Sequence, residues 1–107
     1  MTPKEIFEDK IGGKLNDPAQ AAAAKEIDAV FQFNLSGDNG GEWVVDLKEG
    51  KVFAGGADAA DCTISLKGDD FVKLVENPSS ATMMFMQGKL KVAGNMGLAM
   101  KLPKILG

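Results

Sequence analysis

The sequence predicts an α+β fold in which helices gather on one face of a five-stranded, mostly antiparallel sheet. Three patterns support this prediction. Helix-capping signals open the chain, apolar and polar residues alternate with a period of two over much of residues 27–67, and helical spacing returns on both sides of a last short strand. The predicted order is two helices, four strands, two helices, one strand and one helix.

Two capping signals predict two helices in the first 26 residues. Residues 2–5, Thr-Pro-Lys-Glu, form a capping box with proline at the first helical position. We expect this helix to run to Ile11 and to stop at Gly12-Gly13. Asp17-Pro18 repeats the signal before a run of four alanines, the best helix formers, so a second helix should reach about Glu26.

A period of two begins at Ile27 and predicts four strands. Short polar connections that contain glycine, residues 36–41 and 48–51, imply an antiparallel meander that ends with a strand at residues 52–54. A longer link, residues 55–61, precedes the fourth strand. The apolar residues that alternate along these strands are Phe31, Phe33 and Leu35, then Trp43, Val45 and Leu47, then Cys62, Ile64 and Leu66.

Helical spacing returns after the fourth strand. Asp69 is expected to cap a helix that ends at Asn77-Pro78 and that buries three apolar residues spaced i, i+3, i+4. The serine pair at 79–80 should begin the next helix. A fifth strand follows around residues 89–92, and Gly94-Asn95 opens the terminal helix.

Composition limits the classes of function. Twelve basic and fifteen acidic residues give a net charge of −3 with no basic block, so we expect no nucleic-acid binding. No histidine is present, which removes the commonest general base and metal ligand, and we expect no enzyme activity. The 107 residues should form one domain, residues 1–107. With one cysteine, no signal peptide and no run of 18 apolar residues, a cytoplasmic location is expected.

Two segments near the end of the sequence are unusually apolar. Residues 83–86, Met-Met-Phe-Met, cover most of a helix circumference, and residues 96–106 are rich in methionine, leucine and isoleucine. Five of the six methionines lie in these segments. Such residues can fill a core. Methionine, however, is flexible and also suits a surface that adapts to partners of varying shape, so an apolar ligand surface is the second interpretation.

A metal site is a sharper alternative that the pattern does not favour. Soft copper ligands would have to come from Cys62, Met83, Met86, Met96 or Met100. Cys62 alternates with the apolar residues of its strand, as a small buried side chain does. The carboxylates Asp58, Asp61, Asp69 and Asp70 lack the spacing of a calcium loop and are better explained as caps and turns. We therefore expect no metal and no cofactor.

Three stretches resemble the sterol carrier protein 2 family of lipid-binding domains: "GEWVVDLKEGKV", "ADCTISLKGDDFVKLVENP" and "QGKLKVAGNMGLAMKL". The resemblance spans residues 27–106. It implies an apolar tunnel between sheet and helices that takes fatty acids, fatty acyl-CoA, phospholipids or sterols, with residues 81–87 and 95–102 as walls. The implied lining residues are Phe33, Trp43, Phe71, Met84, Phe85, Met86, Gln87, Met96, Met100 and Leu102.

The resemblance also implies how such a carrier would work. Gln87 and Asn95 are the polar candidates near a headgroup, although helix capping explains Asn95 equally well. We expect the terminal helix to act as a lid, with its methionines on the acyl chain and with Lys101 and Lys104 towards anionic headgroups or, transiently, a membrane surface. The carrier is expected to be a monomer. The alternative is a structural module that docks onto a lipid-metabolising enzyme. No peroxisomal tripeptide ends the sequence.

Overall fold

The computed structural model describes residues 2–37, 40–57 and 59–101. Its centre is a five-stranded sheet in the order β3-β2-β1-β4-β5. The strands are β1 Val30–Ser36, β2 Gly41–Asp46, β3 Lys51–Ala54, β4 Cys62–Lys67 and β5 Lys91–Gly94. The helices are α1 Pro3–Glu5, the π segment Ile6–Ile11, α2 Gly12–Asn16, α3 Pro18–Ile27, α4 Gly68–Glu76, a 3₁₀ turn Pro78–Ser80, α5 Ala81–Met86 and α6 Met96–Ala99.

The sheet confirms the predicted strand number and mostly antiparallel pairing. β1–β2, β2–β3 and β4–β5 are antiparallel, whereas β1 and β4 run parallel. A parallel pair needs a crossover, and the link between β3 and β4 supplies it. The Gln32 side chain fixes this link, because its Oε1 accepts a hydrogen bond from the Ala57 amide at 2.7 Å and its Nε2 donates to the Gly55 carbonyl at 3.3 Å.

The core lies between the helices and the face of the sheet that does not carry Gln32. As predicted, alternation turns one set of apolar residues of β1 and β4 to this face, and all six are buried: Phe31, Phe33, Leu35, Cys62, Ile64 and Leu66. In α4 the residues at i, i+3 and i+4, Phe71, Leu74 and Val75, are buried against them. Among the described helices, none is long and apolar enough to cross a membrane.

The first helix corrects one sequence prediction. The Thr2 capping box forms, but the helix does not stop at Gly12-Gly13; it continues to Asn16. Its middle takes the wider π form, in which the Gly12 amide donates to the Phe7 carbonyl five residues earlier. This winding keeps three apolar residues of the π segment buried together. Glycine costs a helix only about 1 kcal/mol relative to alanine, so burial of these side chains outweighs the local stop signal.

The other helix boundaries are largely as predicted. Asp17 caps α3 by accepting from the Ala19 amide at 3.0 Å, and the helix ends one residue later than expected. Asn95 caps α6 by accepting from the Gly97 amide at 2.9 Å. The prediction that Asp69 caps α4 is wrong. β4 runs directly into that helix, so Lys67 occupies the cap position and Asp69 lies in the first turn, where its charge favours the helix dipole.

The last strand and helix are displaced from their predicted places. The fifth strand begins two residues later than residues 89–92 suggested, at Lys91. The terminal helix ends at Ala99 and passes into a turn at Met100 and Lys101. Residues 102–107 lie outside the described part of the chain, and the predictions for Leu102 and Lys104 go untested.

Candidate functional site

A layer of four aromatic rings lies between the sheet and the helices. The Phe7 ring is stacked on Trp43 with centroids 4.9 Å apart and planes 9° apart, and on Phe71 at 4.7 Å and 8°. Phe33 meets the edges of Phe7 and Phe71 at 5.3 and 5.7 Å. The structure therefore brings together three of the predicted lining residues, Phe33, Trp43 and Phe71, with Phe7 filling the space between Trp43 and Phe71.

Phe7 is the member of this layer that sequence reasoning missed. It stands in "EIFEDKI", where charged residues flank the apolar ones and helix capping was the dominant signal. The available signal was its size: an aromatic ring beside Ile6 in a short amphipathic stretch is expected to be buried. Nothing in the local pattern names the residues against which such a ring packs.

The other predicted lining residues divide between core and surface. Met84 is buried with the aromatic layer. The exposed ones are Phe85 at 42% and Met86 at 80% on α5, Met96 at 48% on α6, and Met100 at 72% in the turn after α6; Gln87, which follows α5, is also exposed. Met83 is also exposed, at 62%. Large apolar side chains that form a contiguous exposed patch often mark a site of interaction.

A cavity of about 340 Å³ lies between the first helix, α3 and the end of β2. We call it the helical cleft. Its described lining residues are Ile11, Lys14, Leu15, Gln20, Ala23, Ala24, Glu26, Ile27, Leu47 and Lys101. The fully buried Ile11 and Leu47 form an apolar floor, and the small alanines of α3 leave the space open. The lining was not predicted, because it depends on the angle between two helices that meet only in the folded chain.

Two lysines give the helical cleft a cationic edge. Lys14 is half-buried and Lys101 is exposed. Burial lowers the pKa of Lys14, and repulsion from Lys10 lowers it further. An anionic group bound beside Lys14 would offset both effects, since an opposite charge favours the ammonium form. Chemically, the cleft combines an apolar floor with two lysines and the exposed carboxylate of Glu26.

A second, more open depression of about 710 Å³ lies at the ends of β1 and β4. Its lining is mainly polar: Asn34, Leu35, Ser36, Ser65, Leu66, Lys67, Asp70, Gly88, Lys89 and Lys91. Gly88 and Lys89 follow Gln87, the residue after α5, and the Lys89 amide donates to the Met84 carbonyl at 2.9 Å. Two of its three lysines, Lys89 and Lys91, therefore lie within five residues of the exposed Met86 in the chain.

The proposed copper ligands are not assembled. Cys62 is fully buried in β4, whereas Met83, Met86, Met96 and Met100 are exposed. Burial raises the pKa of the Cys62 thiol, and the nearby Asp61 carboxylate adds to this effect. Within residues 2–37, 40–57 and 59–101, no three His, Cys, Asp or Glu side chains come together as a metal site.

Comparison with known proteins settles the family. The profile of the SCP-2 sterol transfer family matches residues 9–107. The chain belongs to this family.

Curated relatives of this SCP-2 domain are much longer proteins. The chain is 46% identical over 88 residues to hydroxysteroid dehydrogenase-like protein 2 of Xenopus tropicalis, a match that covers 79% of the chain and 21% of that protein. It is 43% identical over 95 residues to the Homo sapiens protein of the same name, covering 86% and 23%. The chain therefore spans about a fifth of the length of these relatives.

Solved structures share the fold along almost the whole chain. Sterol carrier protein 2 from Yarrowia lipolytica, in its apo form, has a TM-score of 0.78 and 37% identity, and the match covers 92% of this chain and 84% of that one. Sterol carrier protein-2 from Aedes aegypti in complex with the C16 fatty acid palmitate has a TM-score of 0.74 and 27% identity, covering 100% and 97%. The predicted fold class is confirmed.

Proposed function

We propose that this SCP-2 domain is a non-catalytic carrier that binds one acyl chain, with the carboxylate or other anionic headgroup at the edge of the helical cleft. The observation that carries the proposal is the cleft itself, which is lined by the buried apolar side chains of Ile11 and Leu47 and by the half-buried residue Lys14. Membership of the SCP-2 family and the palmitate complex of the Aedes aegypti relative support it.

The cationic edge favours some family ligands over others. Fatty acids, fatty acyl-CoA and phospholipids carry an anionic group that Lys14 and Lys101 can pair with, whereas a sterol offers only a hydroxyl. We therefore propose that acidic acyl lipids are preferred to sterols. We also propose that the protein binds lipid inside the cell, in the cytoplasm.

The energetics suit a carrier. Burying about fifteen methylenes at about 0.8 kcal/mol each yields about 12 kcal/mol of gross stabilisation. Association and ordering cost about 4–15 kcal/mol. The balance is a moderate affinity, which allows a lipid to be released as well as bound.

Native mass spectrometry and calorimetry test the proposal. We expect lipid to co-purify with the protein, and palmitate to bind with one-to-one stoichiometry and to displace it. Cholesterol should compete weakly. Failure to bind any acyl lipid would reject the carrier function.

We further propose that the turn after α6 closes the helical cleft. Met100 is exposed and directly precedes Lys101, which lines the cleft. Met100→Asp should strongly reduce palmitate uptake and leave the circular dichroism spectrum unchanged. Met86→Asp is the matched control, because Met86 is at least as exposed as Met100, at 80% against 72%, but lies on α5. Equal effects of the two variants would argue against closure by this turn.

Transient membrane contact is a further part of the proposal. Exposed methionines of α5 adjoin Lys89 in the chain, and Lys89 lines a depression with Lys67 and Lys91. Apolar side chains beside lysines suit an anionic bilayer surface. Co-sedimentation with phosphatidylserine vesicles should exceed that with phosphatidylcholine vesicles, and it should fall in a Lys89→Glu, Lys91→Glu double variant but not in Lys25→Glu.

A docking module for a lipid-metabolising enzyme is the second candidate. It is favoured by one fact, that the chain matches about a fifth of hydroxysteroid dehydrogenase-like proteins. This candidate predicts that the isolated chain takes up no lipid and that its exposed methionines bury against the remainder of a longer protein. Chemical-shift mapping on the methionine methyl groups, with and without an added dehydrogenase domain, distinguishes it from the carrier.

A further inference from the structure

We infer that Phe7 is a plug that limits the length of the acyl chain the domain accepts, and that longer chains bind by displacing it. The inference rests on the proposed carrier function. It begins from the position of Phe7, which is fully buried in the space that three predicted lining residues surround.

The space that Phe7 occupies has the shape of a slot. The planes of Trp43 and Phe71 are each within 10° of the Phe7 plane, so the two rings form nearly parallel walls on either side of it. Phe33 closes one end through edge contacts. A methylene chain can take the place of the ring between such walls, since carbon atoms pack at about 3.5–4.0 Å whether they belong to a ring or a chain.

The slot and the helical cleft share the first helix as their common wall. Ile11 lies in the cleft lining, and Phe7 lies on the same π segment four residues earlier. Both side chains belong to one buried cluster. A chain that enters from the cleft would therefore meet Phe7 once it passes Ile11.

The volume of the cleft explains why displacement would matter. At about 340 Å³ it lies near the lower end of the range of about 300–1,000 Å³ that small-molecule sites occupy. Emptying a buried apolar position adds on the order of 150 Å³, and such a dry cavity binds apolar guests. Short chains would thus fit the cleft alone, and long chains would need the slot.

The π segment provides a way for Phe7 to move. π-helix is rare and its short stretches often mark functional positions. Converting one π turn to an α turn removes one residue from that turn, and this rotates the preceding side chains by about 100° relative to α2. The charged residues that follow Phe7 in the π segment, Glu8 and Asp9, are exposed, so the rotation would not have to break a buried ion pair of these two side chains.

Binding of saturated fatty acids with 8, 12 and 16 carbons tests the inference. We compare the ratio of the C16 affinity to the C8 affinity in four proteins: the wild type, Phe7→Ala, Phe7→Leu and Phe31→Ala. Phe31 is the matched control because it is as buried as Phe7, whereas among the described aromatic pairs its ring contacts Phe33, at 6.4 Å, and neither Trp43 nor Phe71. We expect Phe7→Ala to raise the ratio at least tenfold, Phe7→Leu to raise it less, and Phe31→Ala to leave it unchanged.

Trp43 gives a second readout, because it is the only tryptophan of the chain. Its fluorescence should change when C16 binds to the wild type, as the stacked ring leaves, and should change less in Phe7→Leu. An unchanged affinity ratio in both Phe7 variants, or an equal rise in Phe31→Ala, would overturn the plug. A wild-type chain that binds none of the three acids would instead reject the proposed function, so the two failures are distinct.

Discussion

Neutralising Lys14 is expected to separate the headgroup contribution to lipid binding from the apolar one. Lys14 is half-buried, Lys101 is exposed, and both line the helical cleft. A hydrogen bond between a charged pair at a partly desolvated site contributes about 1.5–3 kcal/mol. An exposed ion pair contributes at most about 1 kcal/mol. Lys14→Gln should therefore raise the Kd for palmitate about 10- to 150-fold, and Lys101→Gln at most about fivefold.

The pH dependence follows from the lowered pKa of Lys14. Burial disfavours its charged form, so the free folded protein releases this proton at a lower pH than an exposed lysine does. Because the unfolded state then binds more protons, the contribution of Lys14 to stability increases as the pH rises through the lowered pKa. Affinity for an anionic lipid should change in the opposite direction and fall over the same pH interval.

Isothermal titration calorimetry of palmitate binding between pH 7 and pH 10 measures the Kd of each variant and the change of affinity with pH. Lys25→Gln is the control, since Lys25 is an exposed lysine of α3 outside the described cleft lining. In Lys14→Gln the alkaline loss of affinity should disappear. Equal affinities for Lys14→Gln and Lys25→Gln, or an alkaline loss that persists without Lys14, would refute the assignment of the headgroup site.

Three further predictions concern stability and reactivity. Phe7→Ala should lower the free energy of unfolding by about 3–5 kcal/mol in denaturant titrations, because it empties a fully buried aromatic position. Cys62 should react with thiol reagents only at the rate of unfolding, since it is fully buried and its pKa is raised. Gly94→Ala should lower the free energy of unfolding by about 2–4 kcal/mol, because the φ of Gly94 is 92° and a Cβ there would lie 2.6 Å from the Asp61 carbonyl oxygen. Gly13→Ala should raise the free energy of unfolding by about 1 kcal/mol, because a Cβ at this helical position would have nothing within 4 Å.

Local patterns predicted the parts of the fold that local interactions determine. The alternation of Phe31 and Phe33 identified a strand face, and the Asp17 and Asn95 caps identified helix starts, because each signal involves neighbours in the chain. The parallel pairing of β1 with β4 could not be predicted in this way. It depends on a link that crosses the sheet and is held by Gln32, a contact across 25 residues.

The candidate site was predicted only in part for the same reason. Alternation placed Phe33 and Trp43 on the inner face, and helical spacing placed Phe71 opposite them. Phe7 was missed because capping and charged residues dominate the pattern around it, and because its burial depends on Trp43 and Phe71, which lie far along the chain. The helical cleft was missed because small side chains create space only where two helices cross.

A small lipid carrier must reconcile a stable core with room for a guest. A chain of this size buries roughly two thirds of its unfolded surface, so a permanent tunnel through the core would remove much of the packing that holds the fold together. Under the proposal made here, Phe7 provides that packing when no lipid is bound, stacked between Trp43 and Phe71. A bound chain then replaces the contacts of one ring with its own. The domain thereby stays filled in both states, and the difference between them is confined to one helix whose π segment can rewind.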